Sequence, residues 1–518
     1  NSKGQLTSID AMGITAMTVA YDSKGNTTST TDAMGNSIDY SYDTKGRLTS
    51  VADEIGSYMN MTYDSNGNVI SATNGAGTTA QFTYDADGNC TAKTLTYTSD
   101  GAQKTVTEQY FYDNSGNLVK IIDSDGNVTT TEYNSMGKVS SATDEKGRKT
   151  SYDYDNFGNL VKISYPDGTT ETFTYDREGN NLTATDRLGR TVTMTYDKVG
   201  NLLSKTYPNG AQVTYSYDSN YNLVSETSAS GGTTYYEYDK IGRNTAITDA
   251  LGNRTSFAYN SKSQLESMTD AKGNVYTYSY DDNGNRIKTT YPDGSSVSST
   301  YDARGRVTSQ TDQHGYKTKY AYDGGDRLTS VTDALGNVTK YTYDEVGNLT
   351  SVTDANGNTT RYTYDDFGRV VKTTNALGNS AYTTYDESGN VLTSTDFGGN
   401  LTTYTYDDLD RVSSKTTPDG TVSYTYTADG KISTVTDSTG TTSFTYNSMD
   451  GLTRVDYPDG SYVSYRYDKS NRLTKVSTAF GDTAYQYDAL DRITRVVDRN
   501  GYATVYEYDA NGNRTAVK

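Results

Sequence analysis

The sequence YDEVGNLTSVTDANGNTTRYTY, residues Tyr343–Tyr364, shows one copy of a unit that recurs along the whole chain. A tyrosine opens the copy, turn signals follow at Asp344–Asn348 and Asp354–Asn358, and Tyr364 opens the next copy. Self-similarity at a fixed period is the signature of a repeat architecture. We therefore predict one array of about 24 repeats of 20–21 residues over residues 1–518.

The array departs from its regular period in two ways. The copy between Tyr84 and Tyr112 is longer than the others, and we expect the extra residues to lengthen one hairpin, an irregular repeat at 84–112, without breaking the array. The chain also starts and stops inside a repeat, and Asn1 is not Met. We expect an array truncated at both ends, a piece cut from a longer protein.

Composition excludes several classes of protein. Hydrophobic residues make up 33% of the chain, against roughly 45–50% in ordinary domains, so no thick aliphatic core can form. The 51 tyrosines must supply much of the apolar surface, and so many aromatic residues argue against disorder. A net charge of -19 repels phosphate backbones, and no apolar run is long enough for a membrane helix. We predict no nucleic acid partner and no membrane insertion.

Each copy carries two turns with the pattern Asp-x-x-Gly-Asn. Asp in first place and Gly in fourth are typical of a type I turn closed by a left-handed residue, which is a common three-residue hairpin loop. Where the first turn lacks Gly it often has Asp or Asn, which tolerate the left-handed region; Tyr221 is an exception. Proline fits the second position of such a turn. All five prolines occupy that position of the second turn: Pro166, Pro208, Pro292, Pro418 and Pro458.

Between the turns lie segments rich in Thr, Val, Tyr and Ser, which are typical of strands. No helical period appears, so we predict an all-β fold in which each copy is one antiparallel hairpin, about 48 strands in total. An open twisted sheet rarely exceeds about ten strands. The predicted fold is therefore a series of tandem antiparallel β-hairpins coiled into a spiral hollow shell, barrel or tube.

The odd period of 21 residues adds a constraint. Side chains alternate between the faces of a strand, so two three-residue loops without any other irregularity would move the tyrosines to the opposite face in every copy. We expect one loop of different register or one bulge per copy. The 20-residue copies lose one residue after Gly420, Gly440 and Gly481, which points to the strand after the second turn as the irregular one.

The pattern Tyr-Asp-x-x-Gly-Asn/Arg-Leu with a second Thr-Asp-Ala-x-Gly-Asn turn resembles the YD repeat of bacterial Rhs and wall-associated proteins, toxin-complex C subunits and animal teneurins. The resemblance covers nearly the whole chain. It implies a hairpin ribbon that spirals into a hollow shell, which encloses a C-terminal toxin in the toxin members and belongs to an adhesion ectodomain in teneurins. Rhs shells usually end in Asp-Pro motifs associated with self-cleavage, and this chain has no Asp-Pro.

Few residues could carry chemistry. His314 is the only histidine and stands in a turn, so we predict an exposed turn residue and no Ser-His-Asp hydrolase. Cys90 is the only cysteine, and we predict a small buried hydrophobe rather than a reactive thiol. The carboxylates recur at turn starts, where Asp caps its own backbone. We predict no enzyme, no catalytic or cofactor-binding residues and no cofactor.

Calcium is the sharper alternative for the acidic turns. Five turns resemble the first half of a calcium loop, but none supplies the Glu required at the twelfth position, and Gly comes fourth rather than sixth. Turn chemistry is the better interpretation, so no metal ligand is assigned. The five turns are Asp64–Asn68, Asp85–Asn89, Asp123–Asn127, Asp354–Asn358 and Asp509–Asn513.

These observations predict a non-enzymatic structural shell or scaffold segment of a secreted or cell-surface bacterial protein. In the full-length protein it would enclose a polypeptide or toxin domain that lies outside this fragment. The alternative is an adhesin or carbohydrate-binding module with a glycan or cell-surface partner, because an aromatic face stacks on a sugar ring. Packing between copies would, however, account for most of the tyrosines.

Overall fold

The computed structural model describes residues 1–11, 14–99 and 101–518. In these residues all regular secondary structure is β-strand, and no helix is present that could cross a membrane. The 49 strands of the described part belong to one open antiparallel sheet rather than a closed barrel. The predicted all-β fold of tandem antiparallel hairpins is confirmed.

The strands are short, and each pairs with its neighbours in the sequence. The first half of the chain contains β1 (Ser8–Ala11), β2 (Ile14–Tyr21), β3 (Thr27–Asp32), β4 (Ser37–Tyr42), β5 (Leu48–Asp53), β6 (Gly56–Tyr63), β7 (Val69–Asn74), β8 (Thr79–Tyr84), β9 (Cys90–Ser99), β10 (Ala102–Tyr112), β11 (Leu118–Ile122), β12 (Val128–Tyr133), β13 (Val139–Thr143), β14 (Lys149–Tyr154), β15 (Leu160–Ser164), β16 (Thr170–Tyr175), β17 (Asn181–Thr185), β18 (Thr191–Tyr196), β19 (Leu202–Thr206), β20 (Gln212–Tyr217), β21 (Leu223–Thr227), β22 (Thr233–Tyr238), β23 (Asn244–Thr248) and β24 (Arg254–Tyr259).

The second half continues the same alternation of strand and turn. It contains β25 (Leu265–Thr269), β26 (Val275–Tyr280), β27 (Arg286–Thr290), β28 (Ser296–Tyr301), β29 (Val307–Thr311), β30 (Lys317–Tyr322), β31 (Leu328–Thr332), β32 (Val338–Tyr343), β33 (Leu349–Thr353), β34 (Thr359–Tyr364), β35 (Val370–Thr374), β36 (Ser380–Tyr385), β37 (Val391–Thr395), β38 (Leu401–Tyr406), β39 (Val412–Thr417), β40 (Gly420–Tyr426), β41 (Ile432–Asp437), β42 (Gly440–Tyr446), β43 (Leu452–Asp456), β44 (Tyr462–Tyr467), β45 (Leu473–Thr478), β46 (Gly481–Tyr487), β47 (Ile493–Val497), β48 (Ala503–Tyr508) and β49 (Arg514–Val517).

Both turns of a regular copy have the predicted geometry. In the first turn the amide of Asp344 donates to the carbonyl of Asn348, and the amide of Gly347 donates back to the carbonyl of Asp344. Gly347 has a φ of 97°, the left-handed conformation that closes a type I hairpin loop. The second turn, 354–358, repeats these bonds. The left-handed conformation expected where the first turn has Asp or Asn instead of Gly is confirmed, with φ between 58° and 65°, at Asp326, Asp410, Asn471 and Asp491. The exception, Tyr221, adopts the same conformation with φ 66°.

A bulge next to the first turn keeps the odd repeat in phase. Tyr343 pairs with Leu349, but Thr342 pairs with Ser351, so Thr350 has no partner on β32. The prediction of one irregularity per copy is confirmed, but its predicted place is wrong. The bulge lies in the strand after the first turn, and the 20-residue copies instead shorten their second turn to two residues, as between Thr417 and Gly420.

The bulge gives the sheet a tyrosine face and a hydroxyl face. Because side chains alternate, Tyr341, Tyr343, Val352 and Tyr362 all project from one side. These tyrosines are half-buried. The opposite side carries Thr and Ser in adjacent strands, which hydrogen-bond in pairs as in Thr342 Oγ1 to Ser351 Oγ at 2.6 Å. The buried apolar residues of the described chain are few: Tyr97, Ala211, Ala246 and Val455.

Anchor tyrosines connect successive copies through their hydroxyl groups. The hydroxyl of Tyr63 donates to the carbonyl of Leu48, 15 residues earlier, at 2.6 Å. In the same place Arg47 donates from Nε to its own turn at Asp43 and from Nη1 to the carbonyl of Asp64 in the next first turn, both at 2.7 Å. Its guanidinium lies 4.7 Å from the ring centre of Tyr63, a cation–π contact. Hydrogen bonds therefore hold this first turn to the next, and the tyrosine bond recurs in other copies, as at Tyr84 and Tyr364.

The chain divides into two compact units. Unit 1 comprises Asn1–Thr131, Tyr259–Glu266 and Tyr276–Asn400. Unit 2 comprises Glu132–Ala258, Ser267–Val275 and Leu401–Lys518. Each unit therefore combines an early stretch of the chain with a late stretch. The description of residues 1–518 as one array of repeats stays a prediction.

Tyr221 offers a test of the turn geometry. Its side chain is 60% exposed, yet its backbone is in a conformation that costs a bulky residue about 1 kcal/mol or more. We expect Tyr221→Gly to raise the midpoint of thermal unfolding. The matched control Gly242→Tyr, at the same position of the next copy with φ 81°, should lower it. A lower midpoint for Tyr221→Gly would contradict the strained geometry.

Candidate functional site

The candidate site is a line of contacts between turns that are far apart in sequence. In each unit, second turns of the early stretch meet first turns of the late stretch, and we call each line of contacts a seam. The sequence separations across the hydrogen bonds of the seams range from 237 residues for Lys272 and Asp509 to 267 for Thr78 and Glu345. The chain thus meets itself again after about 12 copies of its 21-residue unit in both units.

The seam of unit 1 is polar. Asn283 donates to Asp32 at 2.7 Å, and Arg304 pairs with Asp53 at 2.6 Å. Further along, the hydroxyl of Thr78 donates to the carbonyl of Glu345. Each of these contacts joins a second turn of the early stretch to a first turn of the late stretch.

The long hairpin β9–β10 extends the seam of unit 1. Its strands pair from Ala92 with Gln109 to Ser99 with Ala102, so the extra residues lengthen the hairpin. At its tip the amide of Thr98 donates to the carboxylate of Glu345 at 2.6 Å. The hairpin therefore reaches the late stretch of unit 1.

The seam of unit 2 has the same arrangement with more ion pairs. Asp410 accepts from Lys146 at 3.0 Å and from Arg148 at 2.5 Å. Asn209 donates to the carbonyl of Lys469 at 2.8 Å, and Asn511 donates to Asp270 at 2.7 Å. Lys272 pairs with Asp509 at 3.1 Å.

Arg304 and Asp53 form the most buried ion pair of these contacts. Their side chains are only 6% and 4% exposed, and Arg304 lies 4.2 Å from the ring centre of Tyr58. Arg304 also pairs with Asp326 at 2.7 Å. The hydrogen bond from Arg304, helped by one from the Tyr58 hydroxyl, holds the pKa of Asp53 well below its usual value although burial raises it. Asp53 is therefore ionised and paired at neutral pH.

Arg190 has the corresponding role in unit 2. It contacts Asp186 of its own turn, Asp429 at 2.9 Å and Asp450 at 2.6 Å. Burial alone would raise the pKa of Asp429, but a hydrogen bond from Thr427 and the charges of Lys431 and Arg190 outweigh it and lower the pKa to about 2. A general acid at neutral pH needs a raised pKa instead. This arrangement fits the closure of the seam and gives no indication of proton transfer.

A depression accompanies each of these ion pairs. In unit 1 a pocket of about 480 Å³ is lined by Asp53, Tyr58, Arg304 and residues of β2, β3, β4 and the turn 32–36. In unit 2 a pocket of about 450 Å³ lies beside Arg190. Its apolar lining includes Phe173, Val192, Pro208 and Met449. Both pockets are bounded by the turns that meet in the seams.

The two residues singled out for chemistry lie apart from the seam contacts. His314 is exposed in the turn 312–316, where its amide donates to Asp312. Cys90 is half-buried at the start of β9, with its thiol directed to the carbonyl of Ala92. Burial raises the pKa of this thiol, which disfavours the nucleophilic thiolate. Neither residue has the surroundings of a catalytic group.

The calcium-like turns use their carboxylates within their own loops. In the turn 354–358 one oxygen of Asp354 accepts from the amides of Asn356 and Asn358, and the other accepts from the Asn358 side chain, all at 2.9 Å. Asp64, Asp85, Asp123 and Asp509 also accept from the Asn side chain of their own turn. Within the described residues no group of three His, Cys, Asp or Glu could hold a metal ion.

Sequence reasoning missed the residues that make the seams. Arg304 and Arg190 are in turns of ordinary pattern, and nothing in a single copy distinguishes them from arginines that only close their own turn. The one available signal was a charged residue at the third position of a turn, as in Arg304 and Lys146. Its partner about 250 residues away could not be identified without the curvature of the sheet.

Two family models match the chain. The Teneurin YD-shell model matches residues 2–148 and 58–247. The RHS Repeat model matches 238–274, 259–296, 301–338, 326–353, 343–380, 385–422, 449–483 and 487–518. The chain belongs to the YD/RHS repeat proteins. No curated protein matches the sequence.

Solved structures of Tc toxins share the fold. The chain is similar to the Photorhabdus luminescens Tc holotoxin pore, with a TM-score of 0.63, 15% identity, and coverage of 95% of this chain and 31% of that one. For TcdB2-TccC3 the values are 0.53, 14%, 98% and 39%. For TcdB2-TccC3 without its hypervariable C-terminal region they are 0.52, 14%, 99% and 37%. This chain thus spans less than half the length of these proteins.

The buried ion pair provides a test of the seam. Arg304→Ala leaves Asp53 buried and unpaired, which should cost about 3 kcal/mol or more. We expect faster hydrogen exchange at the amides of the turn 53–56. The exposed pair of Lys149 and Glu132, at 48% and 65% exposure, is the control, and Lys149→Ala should change stability by less than about 1 kcal/mol. Equal, small effects of both substitutions would contradict a seam held by Arg304.

The seams should also weaken in acid. Asp53 and Asp429 have pKa values in the folded chain below the ordinary 3.8, and that of Asp429 is about 2. Such groups stabilise the fold above the unfolded pKa, and the contribution is lost as pH falls through the folded pKa. We expect the thermal midpoint, followed by circular dichroism, to fall between about pH 4 and pH 2. Asp53→Asn and Asp429→Asn should flatten this dependence; an unchanged profile would argue against the assignment.

Proposed function

We propose that this chain is a non-enzymatic wall segment of a container that encloses a polypeptide, in a secreted or cell-surface bacterial protein. The observation that carries the proposal is the return of the hairpin ribbon to itself after about 12 copies in each unit, with a seam of turn-to-turn contacts. A ribbon that repeatedly lies against its own earlier stretch builds a wall. Short turns connect the strands in the part of the chain that the structure describes, so such a wall offers few long loops to proteases.

The comparisons support the same role. The chain belongs to a family of shell repeats, and the neighbours of similar fold are toxin assemblies, one of them described without its hypervariable C-terminal region. We propose that the enclosed partner is likewise a toxin or other polypeptide of the full-length protein. A wall of hydrogen-bonded hairpins acts by geometry, which is consistent with carboxylates and arginines that pair with one another in the seams.

Small-angle X-ray scattering tests the container. A compact solid chain of this length would have a radius of gyration of about 24 Å. We expect a larger radius and a distance distribution shifted towards long distances, as for a hollow body, because the mass lies in a wall. A radius near 24 Å, or the distribution of an extended rod, would contradict a container.

A second candidate is an adhesin or carbohydrate binder. It is favoured by Tyr235 and Tyr382, which are 55% and 49% exposed in the middle of strands on the hydroxyl face. Exposed aromatic rings beside hydroxyl groups suit the stacking of sugar rings. Reproducible glycan-array binding that is lost in Tyr235→Ala and Tyr382→Ala would favour this function over the container.

A further inference from the structure

Each row of turns forms an edge of the ribbon, and two edges meet in a seam. The seams show which residue of a turn is covered by such a contact. At late first turns, which take part in the seams, four apolar residues at the third position are half-buried and a fifth, Phe367, is 41% exposed. The four half-buried residues are Val346, Leu409, Met449 and Leu490. At early first turns of unit 2 the same position is open, with Phe157 81%, Val199 60% and Ile241 69% exposed. The third residue of a turn is therefore the part that a neighbouring edge covers.

A pair of identical turns makes this comparison sharp. Asp249–Asn253 and Asp333–Asn337 have the same sequence, DALGN, and the same closing hydrogen bonds. The first of them lies between two second turns that contact the late stretch of unit 2. One of these turns approaches it at Gly232, where a Cβ would collide with the carbonyl of Ala489. The other contacts it through Lys272. Leu251 in this turn is 47% exposed, whereas Leu335 in its twin is 85% exposed.

Two rows of turns in the described chain therefore resemble the two sides of a seam, but their apolar third residues are exposed. We call the second turns 333–337 and 375–379 of unit 1 the open second-turn edge; its tips Leu335 and Leu377 are 85% and 86% exposed. We call the first turns 155–159, 197–201 and 239–243 of unit 2 the open first-turn edge. Isolated exposed apolar residues are common, but repeated ones along one edge are typical of an interaction surface.

The spacing of the tips on the two edges agrees. Leu335 and Leu377 are 42 residues apart, as are Phe157 and Val199, and Val199 and Ile241. Two copies contain four strands, so consecutive tips on either edge are about 19 Å apart at about 4.8 Å per strand. The apolar tips of one edge can thus meet those of the other in register.

Charge favours the same pairing. Across the seams lysines of one edge meet carboxylates of the other, as in Lys104 with Asp366 and Lys272 with Asp509. On the open first-turn edge Lys198 and Lys240 are exposed directly before the tips Val199 and Ile241. The open second-turn edge carries the exposed Asp333. A cation on the first-turn edge and a carboxylate on the second-turn edge repeat the polarity of Arg304 with Asp53, which is the reverse of that of Lys272 with Asp509.

We propose that the open second-turn edge binds the open first-turn edge of a second copy of this chain. Leu335 and Leu377 are the apolar tips of one edge, and Phe157, Val199 and Ile241 are those of the other. Because the two edges differ, the contact is heterologous and leaves one open edge at each end of a dimer. Association therefore continues head to tail as concentration rises. This self-association is independent of the container role.

Sedimentation velocity of edge variants tests the proposal. The wild-type chain should show an average mass that rises with concentration beyond the dimer. Leu335→Ser/Leu377→Ser and Phe157→Ser/Val199→Ser/Ile241→Ser should each weaken self-association at least about tenfold, which is about 1.4 kcal/mol. The control Tyr235→Ser/Tyr382→Ser removes exposed aromatic residues from the hydroxyl face and should associate like wild type. Unchanged thermal midpoints would show that the variants fold.

Mixing the two edge variants gives the decisive result. Each variant keeps the edge that the other lacks, so an equimolar mixture should form a one-to-one dimer that does not grow further. A wild-type chain that stays monomeric at every concentration would overturn the proposal. So would a wild-type assembly that stops at a dimer, edge variants that associate like wild type, or a mixture that remains monomeric.

Discussion

The bulge beside each anchor tyrosine is the constraint on which the rest of the structure depends. Without the unpaired residue at Thr350 and its equivalents, a 21-residue unit with two three-residue loops would turn its tyrosines to alternate faces. With the bulge, Tyr343 and Tyr364 stay on one face. The tyrosine hydroxyl can then donate to the same carbonyl position in every copy, as Tyr364 does to Leu349 at 2.8 Å.

Keeping the tyrosines of every copy on one face also explains why second turns meet first turns along each seam. If every copy adds the same twist and bend, the ribbon comes back to itself after a fixed number of copies. The second turns of an early stretch then face first turns of a late stretch. Since most turns share one backbone geometry, the contacts are made by the side chains that vary between turns, such as Arg304, Arg190 and Asn209. Charged pairs fix the register, and half-buried tips such as Met449 fill the space between them.

The sequence allowed much of this fold to be predicted, because its rules are local. The positions of Gly, Asp and Pro in the turns specify backbone angles directly, so Pro166 and Asp326 have the places expected of them. An irregularity such as the bulge was predicted because the repeat has an odd number of residues. Its place was not predicted, since the bulged residue varies in type, as at Thr350, Ile70 and Leu203. The 20-residue copies also pointed to a different strand. Asp450 follows the same rule for Asp at the fourth position, whereas Ser263 adopts the left-handed conformation there without a Gly, Asp or Asn that would have indicated it.

The seams could not be predicted in the same way, because they depend on curvature added up over about 12 copies. Zero-length carbodiimide cross-linking followed by mass spectrometry tests them most directly, since it joins a lysine to a carboxylate in direct contact. Lys104 with Asp366, Lys146 with Asp410 and Lys272 with Asp509 are 3.4, 3.0 and 3.1 Å apart. We expect these three cross-links within single chains. Cross-links that join only neighbouring copies of the repeat would contradict it.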